Sequence, residues 1–220
     1  MAYQLSKAEK DLMVKIKENN KHVCYYCGKN IIDPDDLTVD HKIPVARGGQ
    51  TVEFNLVISC KNCNLTKSNL NESEYRSILN EAIELMKTTK LYDIILFNNS
   101  LESAMEFKKL QISKKSEYQK AIECEKNNLI ELTRQLVLNP NKDLKINKKM
   151  VNLIKRIDMI KLNMEKNNFI ESLATKVINY IKDNNTPDEI YNKILHLLVN
   201  KIRLEYLEEE EEKEKEKEIG

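Results

Sequence analysis

Cys24-Tyr25-Tyr26-Cys27, then Val39-Asp40-His41, then Cys60-Lys61-Asn62-Cys63-Asn64 is the stretch that decides what this chain can be. Two residues separate the cysteines of each pair, so each pair can form a knuckle with both sulfurs on one side. Two such knuckles fill a tetrahedral Zn²⁺ site, whose structural form is closed by four protein ligands. The alternative, a pair of disulfides or redox dithiols, needs an oxidising compartment, and nothing in the sequence directs export. The 32 residues between Cys27 and Cys60 exceed ordinary zinc-finger spacing, so the intervening loop must carry structure of its own. Cys124 stands apart in a helical pattern and reads as a small buried residue.

Inside that loop, Leu37-Thr38-Val39 reads as a short strand after the turn-forming Asp33-Pro34-Asp35-Asp36, and it delivers Asp40 and His41. Pro44 and then Arg47-Gly48-Gly49 mark a turn. Phe54 to Ser59 reads as a second strand with Asn55 near its start, and the second cysteine pair leads into a helix beginning near Asn64. Few apolar residues are available to fill so small a scaffold, and metal is the usual supplement when burial is scarce.

Taken in this order, the residues resemble the HNH (ββα-metal) endonucleases, in the four-cysteine zinc subtype with Asn at the last motif position. The resemblance covers roughly residues 20 to 70, about a quarter of the chain. It implies that His41 is the general base taking a proton from the attacking water, a role suited to an imidazole with its pKa near physiological pH. It implies that Asp40 and Asn64 hold the catalytic cation, and two oxygen donors favour Mg²⁺ or Mn²⁺ there. Asn55 matches the family residue that braces the loop carrying the base. Lys67, one helical turn past Asn64, falls where it would meet a phosphate oxygen, and Lys42 and Arg47 are further expected nucleic-acid contacts. The implied reaction is one-metal hydrolysis that leaves 5′-phosphate and 3′-hydroxyl ends. The family setting is restriction, phage defence or a mobile element. An Asp-His pair alone is as consistent with a surface turn, and asparagine is abundant here; the place of Asn64 directly after Cys63 is what singles it out.

Composition points to a soluble, cytoplasmic protein. The first twenty residues carry charges at short intervals, which excludes a secretory core or a membrane span there. The net charge of +1 hides opposed blocks. Lys142 to Lys161 holds seven Lys or Arg against two Asp, whereas Glu208 to Glu218 holds eight Glu against three Lys. Lys148, Lys149, Lys155 and Arg156 in the basic block are expected phosphate contacts with salt-dependent, sequence-independent affinity. The competing reading is the solvated face of a coiled coil. Lysine outnumbers arginine 31 to 5, leaving few guanidinium forks for bidentate guanine contacts and so little intrinsic sequence specificity.

The expected fold class is α+β: a small zinc-stapled nuclease module followed by a mostly helical region with a long antiparallel hairpin. Its expected divisions are 1–72 (nuclease module with an N-terminal helix), 73–99 (connecting helix and apolar segment), 100–185 (hairpin) and 186–220 (C-terminal helix with acidic tail). Ser6 with Glu9 forms a capping-box signal for the first helix, which runs to about Glu18. Tyr75, Ile78, Leu79, Ala82, Ile83 and Met86 trace one helical face, and the state of Leu91 to Phe97 stays open. Asn139-Pro140-Asn141 and Asn184-Asn185-Thr186-Pro187 interrupt the helical remainder. Ile146, Met150, Leu153, Ile157, Ile160 and Met164 repeat at steps of four and three, a seam that needs a partner, with Ile122, Leu129, Leu132 and Leu136 the nearest. The hairpin is expected to dimerise the protein, to dock a partner protein, or to clamp DNA, against the plainer alternative of intramolecular packing. For the whole chain the leading expectation is a DNA endonuclease with one structural Zn²⁺ and one Mg²⁺ or Mn²⁺. Its rival is a catalytically inactive zinc module on a helical scaffold, binding nucleic acid or a partner protein.

Overall fold

The computed structural model describes residues 4–138 and 143–219, so the interruption expected at Asn139-Pro140-Asn141 lies outside the described residues. The chain divides into two compact units, one of residues 1–92 with 188–220 and the other of residues 93–187.

In the first unit, α1 (Lys7–Asn19) opens on the expected box: Ser6 Oγ accepts from the Glu9 amide, and Glu9 Oε2 accepts from the Ser6 amide. β1 (Leu37–His41) pairs antiparallel with β2 (Leu56–Cys60), placing Leu37 opposite Cys60 and His41 opposite Leu56. All five β2 residues are buried, as in a strand covered on both faces. The second strand starts two residues later than expected, because Glu53–Asn55 closes a 3₁₀ turn with the Leu56 amide bonded to the Glu53 carbonyl. α2 (Lys61–Lys67) follows without a linker. Cys60 is its N-cap, its sulfur accepting from the Cys63 amide at 3.5 Å, so the second knuckle is the first turn of the helix rather than its approach.

Asn71 caps α3 (Glu72–Thr88) in a second capping box with Glu74, and the expected face is buried at Tyr75, Ile78, Leu79, Ala82 and Met86. Lys90 adopts a left-handed φ of 63° and redirects the chain into α4 (Leu91–Leu96), which settles the apolar run as a helix. The first unit is completed from the far end of the chain by α7 (Pro187–Ile219). Ile190, Ile194, Leu195, Leu198, Val199 and Ile202 are buried along one broad stripe, and the rings of Tyr92 and Tyr191 meet edge to face at 5.8 Å.

The second unit is built on α5 (Leu101–Leu138) and α6 (Asp143–Lys182), which pack along each other. Asn167 donates to the Gln111 carbonyl at 2.8 Å, and Arg156 pairs with Glu125. Contacts that advance along α5 while retreating along α6 make the pair antiparallel. Ile146 and Ile157 of the expected seam are buried; Met150, Leu153, Ile160 and Met164 are half-buried. Cys124 is exposed, contrary to expectation, because the buried positions flanking it on α5 are Ile122 and Glu125. The α+β class and the helical hairpin are as the sequence implies. Among the described residues no helix is long and apolar enough to cross a membrane.

Candidate metal and catalytic centre

The first knuckle precedes β1, and the second joins β2 to α2. Strand pairing brings them together, and the metal-ligating atoms of Cys24, Cys27, Cys60 and Cys63 all lie within 4.8 Å of one another. Cys27 and Cys60 sulfurs are 3.9 Å apart. Four thiolates around Zn²⁺ at about 2.3 Å stand roughly 3.8 Å from each other, so the cluster suits a zinc ion. Cys24, Cys60 and Cys63 are buried and Cys27 half-buried. Crowded sulfurs share protons unevenly. Bonding to Cys27 lowers the Cys24 thiol to about 6, and bonds from Cys24, Cys27 and Cys63 draw Cys60 lower still. Cys27 and Cys63 are pushed up, each first by its bond to Cys24. A soft cation resolves this competition by replacing the shared protons. His196 of α7 also lies close enough to Cys60 to draw its pKa down. The ring is buried, and neither nitrogen makes a hydrogen bond of ordinary length among the described residues.

Asp40 sits near the end of β1, turned into the core and 7% exposed. Its Oδ2 accepts from the Tyr26 hydroxyl at 2.7 Å and pairs with Lys67 Nζ at 3.1 Å. Burial, with the Asp40 charge second, pushes the Tyr26 phenol far up, so it stays a donor. Lys67 also donates to the His41 carbonyl at 2.6 Å, and its side chain is fully buried. Expected at a phosphate, Lys67 instead faces inward and joins α2 to β1, because a carboxylate and a carbonyl already stand within its reach.

His41 is half-buried, with Nε2 3.0 Å from Thr51 Oγ1. Burial lowers its pKa below the usual 6.5, with Lys67 adding to the shift and Asp40 opposing it, so the ring is neutral at physiological pH. Asn55 is buried and clamps the loop after the histidine. Its Oδ1 accepts from the Ile43 amide at 2.9 Å, and its Nδ2 donates to the Ile43 and Gln50 carbonyls at 3.1 and 2.9 Å. Asn64, half-buried on α2, makes no side-chain hydrogen bond among the described residues. Tyr26 and Thr51 carry no motif signal. Tyr26 reads as spacer between cysteines, and its bond to Asp40 spans 14 residues.

Arg47 is not free for a phosphate: its guanidinium binds both carboxylate oxygens of Glu74 at 2.7 Å. Lys42 lies 5.3 Å from the Tyr25 ring centre, and Arg76 stacks on the same ring at 4.4 Å. These three cations line an open groove of about 750 Å³ with Phe54 and Asn55, contiguous with the loop that follows His41. In the second unit, Lys148, Lys149 and Lys155 are exposed, whereas Arg156 is engaged by Glu125.

A family model described as HNH endonuclease matches residues 24–70. The match begins at the first cysteine of the first knuckle and takes in every residue of the resemblance, through Lys67. No curated protein matches the chain. Residues 24–70 are thus an HNH domain, which suggests a nuclease-type function.

Proposed function

We propose that this protein is a metal-dependent endonuclease that hydrolyses DNA phosphodiester bonds, with His41 as general base. What carries the proposal is that the matched span holds the four-sulfur cluster and also contains Asp40, His41, Asn55 and Asn64, the residues the resemblance singles out. Cys24, Cys27, Cys60 and Cys63 would bind a structural Zn²⁺ that pins the strand pair to α2. The donor set of Asp40 and Asn64, a carboxylate and an amide oxygen, fits Mg²⁺ or Mn²⁺. Such a cation supplies Lewis-acid stabilisation of the negative charge that builds on phosphate and leaving oxygen.

The remaining chemistry belongs to the chain. His41, neutral at working pH, accepts the proton of the attacking water. Nε2 lies 3.0 Å from the Thr51 hydroxyl, and the tautomer that donates there would leave Nδ1 the lone pair that receives the proton. Asn55 fixes the loop after the base by three bonds to its backbone. Lys42 at the adjoining groove favours an anionic strand, whereas Arg76 there is already paired with Glu72 at 2.8 Å.

The test compares wild type with His41→Ala on supercoiled plasmid in Mg²⁺ or Mn²⁺, with product ends mapped. The variant is expected to nick on the order of 10²-fold or more slowly. Equal rates would remove His41 from the mechanism. A wild type that cuts neither DNA nor RNA would favour the rival reading, an inactive zinc module that binds nucleic acid or a partner protein.

A further inference from the structure

Asp40 differs from an ordinary exposed metal-binding carboxylate in how its two oxygens are used. Oδ2 is taken twice, by the Tyr26 hydroxyl at 2.7 Å and by Lys67 Nζ at 3.1 Å. Oδ1 takes no hydrogen bond among the described residues and is not one of the sealed, unpartnered atoms. The carboxylate therefore has one oxygen anchored and leaves the other without a protein donor among the described residues.

Both anchors come from the zinc knuckles. Tyr26 lies between Cys24 and Cys27, and Lys67 ends the helix whose first turn holds Cys63. The anchors are themselves packed. Tyr26 meets Tyr75 edge to face at 5.1 Å, and the Tyr75 hydroxyl lies 2.8 Å from the hydroxyl of Thr66, the neighbour of Lys67. Moving either knuckle moves an arm of the grip on Asp40.

We infer that Tyr26 and Lys67 are positioning residues that hold Asp40 as a one-oxygen donor to the catalytic cation, so that the zinc cluster sets the geometry of the second metal site. This rests on the proposed role of Asp40. Neither residue touches the cation. Tyr26 fixes the carboxylate plane through a neutral hydroxyl, and Lys67 offsets part of the carboxylate charge. A metal site so partly neutralised needs its remaining oxygen held in place.

Mn²⁺ binding to the zinc-loaded full chain, followed by electron paramagnetic resonance without nucleic acid, tests the inference independently of cleavage. Tyr26→Phe keeps the ring packing and removes only the donor. It is expected to weaken Mn²⁺ binding by about 10-fold or more, the usual cost of losing an outer-sphere partner. Tyr191→Phe, in the same unit and with its ring against Tyr92 rather than against Tyr26, is expected to bind Mn²⁺ as wild type does. Zinc content of one per chain and an unchanged circular dichroism spectrum establish that each variant is folded. Wild-type affinity in folded Tyr26→Phe overturns the positioning role while leaving the nuclease reading intact. Equal weakening by Tyr191→Phe overturns it too, since the effect would then be one of general packing. Absence of Mn²⁺ binding in wild type, with Asp40→Ala indistinguishable from it, removes the catalytic metal site and the inference with it.

Discussion

An ammonium group with no exposed side-chain surface must be met by an opposite charge, and Lys67 has Asp40 at 3.1 Å. The pair is a liability if halved. Lys67→Met keeps the volume but leaves the carboxylate buried with Tyr26 as its one remaining partner. The expected cost is about 3–5 kcal/mol, read as a large fall in melting temperature of the zinc-loaded protein. An unchanged melting temperature, with weaker nucleic-acid binding, would return Lys67 to the phosphate contact its motif position suggests. At this scale the sequence is legible where chemistry depends on residue type and spacing, as for the cysteine pairs and Asp40-His41. It is silent where a side chain has two plausible destinations. Nothing local tells a lysine one turn past Asn64 whether to face solvent or core. Tyr26 and Thr51 reach partners that only strand pairing and the loop after β1 bring near.

At the scale of elements, the loop from His41 to β2 is the least tolerant part of the module. Gly48 has φ +83° with open space around it, so a side chain there costs about 1–2 kcal/mol of left-handed strain. Gly49 is different in kind. A Cβ on it would stand 1.9 Å from the Ile43 carbonyl oxygen, which Asn55 also binds. Gly49→Ala must therefore displace the backbone of the loop that follows His41. It is expected to destabilise by about 2–3 kcal/mol and to slow nicking more than Gly48→Ala does. Melting temperature and nicking rate measured on the same preparations check this; equal effects from the two alanines would sink it. The Arg47-Gly48-Gly49 signal marked this turn, but no composition reports that one glycine is needed for conformation and the other for space. The Ser6–Glu9 capping box and the α3 stripe were legible because they are local, although the Asn71–Glu74 box went unread. α4 was not, since a six-residue segment that is apolar apart from Asp93 suits a buried strand as well as a helix. α7 shows the same limit over distance: its stripe is readable, but its membership of the unit holding residues 1–92 is not.

At the scale of the molecule, the near-zero net charge says little, because charge is segregated along the chain. The exposed basic side chains of α6 divide into two physical classes. Lys148, Lys149 and Lys155 have no ion-pair partner among the described residues, whereas Arg156 is spent on Glu125, which is buried and would otherwise be uncompensated. Counterion release counts only charges that phosphates neutralise. If the hairpin lies along duplex DNA, replacing the three lysines by Gln lowers the slope of log affinity against log salt by about 2.7, or 0.9 per lost contact. Arg156→Ala should leave that slope nearly unchanged and lower the melting temperature instead. Fluorescence anisotropy with a non-cleaving His41→Ala background, across a series of NaCl concentrations, separates the two. A triple variant with the parental slope would place DNA elsewhere and leave the exposed lysines as a solvating face. In that case Lys42, in the loop after His41, is the next cation to replace, since Arg47 and Arg76 at the same groove are paired with Glu74 and Glu72.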